Sequence, residues 1–217
     1  MSLTYNCGEE SSRKVGLTQA TSTLRSGRLV VMPTDTVYGI AADPFNPDAV
    51  AALLAAKHRG PDMPVPVLVG SWDTIDGLVP SVSAEARTLI RAFWPGGLSI
   101  VVPQAPSLTW NLGHTAGTVM LRMPLHPVAI ELLRETGPLA VSSANVSGNP
   151  PAQTAAQAKE QLGESVSVYL ESGNSDIGTA STIVDLSRGA PRIIREGAET
   201  AERVAEALGV SAESLRG

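Results

Sequence analysis

The sequence predicts a mixed α/β (α+β) fold: one twisted sheet of parallel and antiparallel strands, flanked by helices. Apolar strand runs alternate with helical patterns along most of the chain, while the last three runs lie close together. In addition, 20 Gly and 16 Pro cut the chain into short elements. No G-x-G-x-x-G string follows a strand, so the pattern does not point to a doubly wound dinucleotide-binding fold.

The elements follow in order. Residues 1–14 read as a polar lead-in and residues 17–26 as a helix stopped by Gly27. Residues 28–32 (RLVVM) form a buried strand ended by Pro33. Asn46 caps a helix with Pro47 in its first turn, running to about Lys57. A strand at 66–70 (PVLVG) precedes a helix capped by Ser83 and ending at Phe93. The turn Trp94-Pro95-Gly96-Gly97 leads into a strand at 98–102. A long Gly-rich polar stretch reaches Gly117, and a strand follows at 118–122. Pro127 opens a helix that Gly137 closes. The strand at 139–142 ends in the polar loop SSANVSGNPP. Thr154 and Gln157 have capping-box spacing for a helix to Leu162. Strands at 166–170, 182–186 and 192–195 precede a helix from about Thr200 to Leu208. The expected organisation is a single domain over residues 1–217, with its core at 16–197 and a C-terminal helical tail at 198–217.

A chain of 217 residues buries roughly 70% of its unfolded surface and needs no covalent staple. Hydrophobic residues make up 43% and charged residues 17%, a globular balance. Cys7 is the sole cysteine, which excludes an intrachain disulfide and Cys-based zinc clusters. The net charge of −5 opposes a protein built mainly to grip nucleic-acid backbone. Aromatics at 4% are too few for a base-stacking platform. No apolar run approaches the ~20 residues of a membrane span, and the polar N-terminus lacks a signal-peptide core. A cytoplasmic protein without membrane contact is expected. P-loop, zincin, nucleophile-elbow and histidine metal-ligand patterns are all absent.

Four polar clusters stand at the ends of apolar strands, where a rigid scaffold commonly holds binding groups. Residues 33–39 (PTDTVYG) place two hydroxyls, a carboxylate and a phenol together. In an extended chain Thr34 and Thr36 point one way and Asp35 the other; the alternative is a turn satisfying its own backbone. Lys57, His58 and Arg59 end a helix, either complementing its dipole or binding an anion. On strand 118–122, Arg122 shares a face with Thr118 and Met120. If buried, it requires an anionic partner, in a core ion pair or in a ligand. Residues 142–148 (SSANVSG) suit close approach to a ligand, or a plain turn into the next helix. Further on, Ser181 opens the strand STIVDL and Arg195 ends PRIIR. If the strand ends converge, the site favours a phosphorylated or carboxylated ligand beside a small polar molecule.

Taken in order, the strings VVMPTDTVYGI, AAKHRGPDMPVPVLV, FWPGGLSIVV, GTVMLRMPLHPVAIELL, PLAVSSANVSG, STIVDL and IIREG resemble the YrdC-like family, from about Gly16 to Gly197. The resemblance implies a twisted mixed sheet around a large, positively lined concave cavity. It implies condensation of L-threonine, bicarbonate and ATP to threonylcarbamoyl-adenylate and pyrophosphate, with Mg2+ accompanying ATP and no tightly bound organic cofactor. The adenylate passes to a tRNA threonylcarbamoyl transferase complex that modifies adenosine 37; weak direct tRNA binding is a further expectation. Lys57 and Arg59 would be the catalytic cations. Thr36, Arg122, Val141 and Ser181 would hold threonine, with Arg122 on its carboxylate. Lys57, Arg59, Met63, Thr118, Ser143, Asn145 and Arg195 would hold ATP. A resident metal site is not expected.

The chain departs from the family pattern at His58, inside the usual K-G-R string, at Met63, which supplies no side-chain hydrogen bond, and at Leu68, where some members carry His. Two other readings stay open: a non-catalytic RNA-binding or ribosome-associated module of the same fold, and a relative that forms a carbamoyl-adenylate from another donor.

Overall fold

The computed structural model describes residues 1–216. Ten strands form one mixed sheet: β1 (Leu3–Asn6), β2 (Val30–Met32), β3 (Gly39–Ala42), β4 (Val67–Leu68), β5 (Leu98–Pro103), β6 (Thr118–Arg122), β7 (Leu139–Ser143), β8 (Val168–Glu171), β9 (Thr182–Asp185) and β10 (Arg192–Arg195). Their order is β1-β8-β2-β3-β7-β4-β6-β5-β9-β10. The β1/β8, β2/β8, β4/β6 and β5/β9 pairs run parallel and the others antiparallel, as the sequence predicts for a mixed sheet.

Seven helices flank it: α1 (Glu10–Arg25), α2 (Pro47–Ala56), α3 (Ala84–Phe93), α4 (Pro127–Thr136), α5 (Ala155–Leu162), α6 (Ala201–Leu208) and α7 (Ala212–Arg216). Their predicted start signals are made. Asn46 Oδ1 accepts from the amides of Asp48 and Ala49 at 3.1 and 3.2 Å. Ser83 caps Ala86 and Thr154 caps Gln157, each at 3.1 Å. Gln157 reaches back to the amide of Gln153 rather than to that of Thr154, one residue before a regular capping box.

Three expectations are corrected. The lead-in is not irregular: it forms β1 and the first turns of α1, whose Gly16 sits so close to Tyr5 that an added Cβ would lie 2.7 Å from Tyr5 Cβ. The helix predicted at 17–26 thus starts earlier, at Glu10; tertiary packing makes the added turns, whose local sequence is too polar to announce them. The second correction is β3, where residues 39–42 (GIAA) form a strand between β2 and β7. Gly39 is required there, because a Cβ would come within 2.6 Å of Val141 Cγ1. Third, the C-terminal tail is part of the core: Ala201, Val204, Ala205 and Leu215 are buried in the main cluster.

Side chains alternate between the two faces of the sheet. Val31, Ile40, Val67, Leu98, Ile100, Leu121 and Val184 face the larger core, beside α2, α3, α5 and α6. Met32, Ala41, Leu68 and Val141 face the other way, under α1 and α4. Those two helices cover only one half of that second face. Beyond Leu68, towards β6, β5 and β9, the face forms the floor of a cavity.

Candidate active site

The cavity has a volume of about 360 Å3. Alternation sets its floor: Val141 and Ser143 from β7, Leu68 from β4, Met120 and Arg122 from β6, Ser99 from β5 and Ile183 from β9. Its wall includes Thr34, Thr36, Tyr38, Arg59, Met63, Ser142, Ser181 and Arg195. Three arginines line it and no carboxylate does.

Arg122 is the most constrained of these arginines. Its side chain is 7% exposed and pairs with Asp35, whose side chain is 4% exposed; the Nη2–Oδ1 distance is 2.6 Å. Nε donates to the Gly96 carbonyl at 2.8 Å and Nη1 to Thr36 Oγ1 at 2.8 Å. The anionic partner expected for a buried Arg122 is therefore Asp35. Of the two readings of residues 33–39, the extended one, with Asp35 pointing away from Thr36, does not hold, because both converge on one guanidinium. The segment is a turn instead: Thr34 Oγ1 donates to the Val37 carbonyl at 2.6 Å and lies 3.1 Å from Thr36 Oγ1. Burial lowers the Arg122 pKa, Asp35 opposes that, and Arg195 adds repulsion. Two of the five guanidinium N–H groups remain for a ligand.

Beside it, Ser99 Oγ and Ser181 Oγ are 2.9 Å apart. Arg195 donates to the Ser181 carbonyl through Nε at 3.1 Å and Nη2 at 2.7 Å. Gly197 makes this corner possible, since a Cβ there would lie 2.2 Å from the Ala180 carbonyl oxygen. At the other end, Arg59 Nη1 donates to Ser142 Oγ at 3.0 Å. Arg59 Nη2 binds the carbonyls of Met63 and Pro64, and its Nε is buried with no partner. Burial lowers the pKa of both Arg59 and Arg195. Neither forms an ion pair among the described residues, so both charges are uncompensated by protein.

Thr36, Arg59, Met63, Arg122, Val141, Ser143, Ser181 and Arg195 thus come together around one cavity. Lys57, Thr118 and Asn145 are outside its lining. Lys57 is buried and donates to the carbonyls of Ser143 and Asn145. Burial, with Arg59 nearby, pulls its pKa down to about 8. Thr118 Oγ1 donates to the Thr115 carbonyl at 2.7 Å. Asn145 Nδ2 donates to the carbonyls of Val146 and Asn149, while its Oδ1 is buried without a partner. His58 is exposed in a left-handed conformation, φ 52°, so the break in the K-G-R pattern touches nothing in the cavity. The site reading missed Ser99 and Ile183; strict alternation on β5 and β9 is the signal that finds them, as alternation on β6 puts Met120 on the Arg122 face.

The model of the Sua5/YciO/YrdC family, described as telomere recombination, matches residues 22–197. A Mycobacterium tuberculosis protein provisionally named threonylcarbamoyl-AMP synthase is 62% identical over 217 residues, covering 100% of both chains. A Bacillus subtilis threonylcarbamoyl-AMP synthase is 34% identical over 93% of this chain and 59% of its own length. Among solved structures, Pyrococcus abyssi Sua5 complexed with L-threonine superposes with a TM-score of 0.88 at 30% identity, over 96% of this chain and 61% of that one. Escherichia coli YciO shares the fold, with a TM-score of 0.83 at 19% identity over 94% of this chain and all of its own.

Proposed function

From the premise that this chain belongs to the Sua5/YciO/YrdC family, we infer that it catalyses the threonylcarbamoyl-AMP synthase reaction, a nucleotidyl transfer that serves tRNA modification. The observation that carries the reading is the cavity itself: three arginines, no carboxylate and a cluster of hydroxyls on the second face of the sheet.

The substrates proposed are L-threonine, bicarbonate and ATP. The neutral threonine amine adds to carbon dioxide with loss of a proton, or to bicarbonate with loss of water, and an oxygen of the resulting carbamate bonds to the α-phosphorus of ATP as the bond to pyrophosphate breaks. Such a reaction needs alignment and charge stabilisation more than a covalent nucleophile. Arg122, held by Asp35 and Gly96, offers its two remaining N–H groups to the threonine carboxylate. Thr36 and Ser181 stand beside it for the polar groups of the amino acid, and Val141 supplies an aliphatic wall. Arg59 and Arg195, unpaired by carboxylates, face the charge that develops on phosphate, with Ser143 as a hydroxyl contact.

Magnesium is proposed to enter on the triphosphate. The cavity lining offers hydroxyl and carbonyl oxygens but no carboxylate, and among the described residues no three His, Cys, Asp or Glu side chains converge. That donor set suits an ion held mainly by phosphate and water. The adenylate is proposed to pass to a tRNA threonylcarbamoyl transferase complex. A non-catalytic RNA-binding role is not favoured: the net charge is −5, and the arginines of the site, Arg59, Arg122 and Arg195, line a cavity and not an open surface. No helix among the described residues is long and apolar enough to cross a membrane.

The deciding experiment is pyrophosphate release with mass-spectrometric detection of threonylcarbamoyl-adenylate. Release that requires ATP, threonine and bicarbonate together supports the reading. Release indifferent to threonine, or no release by folded protein with magnesium present, overturns it.

A further inference from the structure

Lys57 ends α2, and its side chain runs inward rather than towards the cavity. It is 2% exposed and absent from the lining. Its ammonium donates to two backbone carbonyls, those of Ser143 and of Asn145, the latter at 2.7 Å. Its own carbonyl accepts from the Ser147 amide at 2.9 Å. One residue thus ties three points of the loop that follows β7. That loop carries the Ser143 hydroxyl on the cavity side. It also carries Asn145, whose Oδ1 is buried without a partner while its Nδ2 is fixed by two carbonyls within the same loop.

Backbone carbonyls converging on one point repel one another; the Ser143 carbonyl also accepts from the Asn145 amide at 2.9 Å, but the Lys57 ammonium is the donor that bridges it to the Asn145 carbonyl. A cation is the strongest donor for such a pair. Two of the three ammonium N–H groups are committed to these carbonyls, and the residue is absent from the cavity lining, which leaves its charge behind the loop and not on the ligand side.

We propose that Lys57 is a positioning residue: it shapes the Ser143–Ser147 loop from behind and acts on the nucleotide only through that loop, leaving Arg59 as the cation of this pair that faces the ligand. The proposal rests on the reading that the loop faces ATP, but its first test does not.

Amide hydrogen exchange is measured on the ligand-free protein, comparing wild type with Lys57→Met and Lys57→Gln. Gln is one bond shorter, yet its amide keeps two N–H donors and carries no charge. Loss of the tie is expected to speed exchange in residues 143–149 of Lys57→Met by about tenfold or more, with protection elsewhere in the sheet unchanged. The Gln variant is expected to recover a large part of that protection. The KM for ATP is expected to follow the same order, rising about tenfold in Lys57→Met and less in Lys57→Gln. If ligand-free exchange in Lys57→Met matches wild type while ATP use falls, Lys57 touches the nucleotide directly and the proposal is overturned. It is equally overturned if Gln restores none of the protection. Should Lys57→Met not fold, Lys57→Gln against wild type decides: native-like protection with a modest change in KM supports the proposal, and native-like protection with ATP use abolished refutes it. Because exchange is read without turnover, it answers even if wild type releases no pyrophosphate, and that second result counts only against the synthase reading.

Discussion

Asp35 Oδ1 accepts from both Arg122 Nη2, at 2.6 Å, and the Leu125 amide, at 2.9 Å, so a single carboxylate oxygen joins the turn after β2 to the end of β6. Removing it leaves a buried guanidinium without its counter-charge. Asp35→Ala is expected to lower stability by about 3–5 kcal/mol, the cost of breaking a buried pair from one side. Urea unfolding measures this, and a loss below about 1 kcal/mol would place the pair with ordinary surface bridges.

Arg122→Ala tests the other half of the pair. It is expected to reduce kcat/KM for threonine by about 2–4 kcal/mol of transition-state stabilisation, with a smaller effect on ATP. Steady-state kinetics with each substrate varied in turn gives the answer. An equal loss for both substrates would remove Arg122 from the threonine end of the cavity.

Arg59→Ala should act in the opposite sense. Its guanidinium lies at the Ser142–Pro64 end, away from Thr36 and Ser181. The expected result is a KM for ATP raised by about tenfold or more, as for a charge-assisted contact, with the KM for threonine nearly unchanged. An unaltered ATP dependence would contradict its placement.

Lys57 supplies a pH signature. Its folded-state pKa of about 8 lies below the ordinary lysine value of 10.5. Between those values the unfolded chain binds more protons than the folded one, so this residue makes stability rise with pH. Below pH 8 both states are protonated and the penalty is fully present. The stability of wild type minus that of Lys57→Met should therefore increase from pH 8 to pH 10.5 and be flat from pH 6 to pH 7.5. Chemical denaturation across that range checks the slope; a flat difference throughout would mean that Lys57 titrates normally.

Gly197→Ala places a methyl group 2.2 Å from the Ala180 carbonyl oxygen. The chain must shift, and Ser181 shifts with it. A loss of about 1–3 kcal/mol of stability is expected from the overpacking, together with weakened threonine use. Normal threonine kinetics would show that Ser181 does not depend on this contact.

Elements that carry their own signals are legible in the sequence. Asn46-Pro47, Ser83 and Thr154 start helices because each offers an oxygen to unpaired amides of the first turn. β1 and β3 are not legible, because neither has a run of large apolar residues and each is made by its neighbours. For the site, a buried Arg122 implies an anion, a rule of charge and not of topology; that the anion is Asp35 depends on a turn that local reading left open beside an extended chain. The separation of Lys57 from Arg59 also escapes the sequence. Two cations two residues apart look equivalent until the left-handed His58 between them turns one inward and the other towards the cavity.

The cavity over the second face of the sheet has an electrostatic consequence. In a molecule of net charge −5, Arg59, Arg122 and Arg195 line the cavity, and Asp35, behind it, is paired with Arg122. A long polyanion meets a repelling exterior, whereas a compact one, small enough to leave that exterior behind, gains the focused field of a recess with low-dielectric walls. A recess of this kind is expected to favour a compact anion over a long one. Added salt should slow the capture of a nucleotide by screening that field, without improving the fit of anything larger.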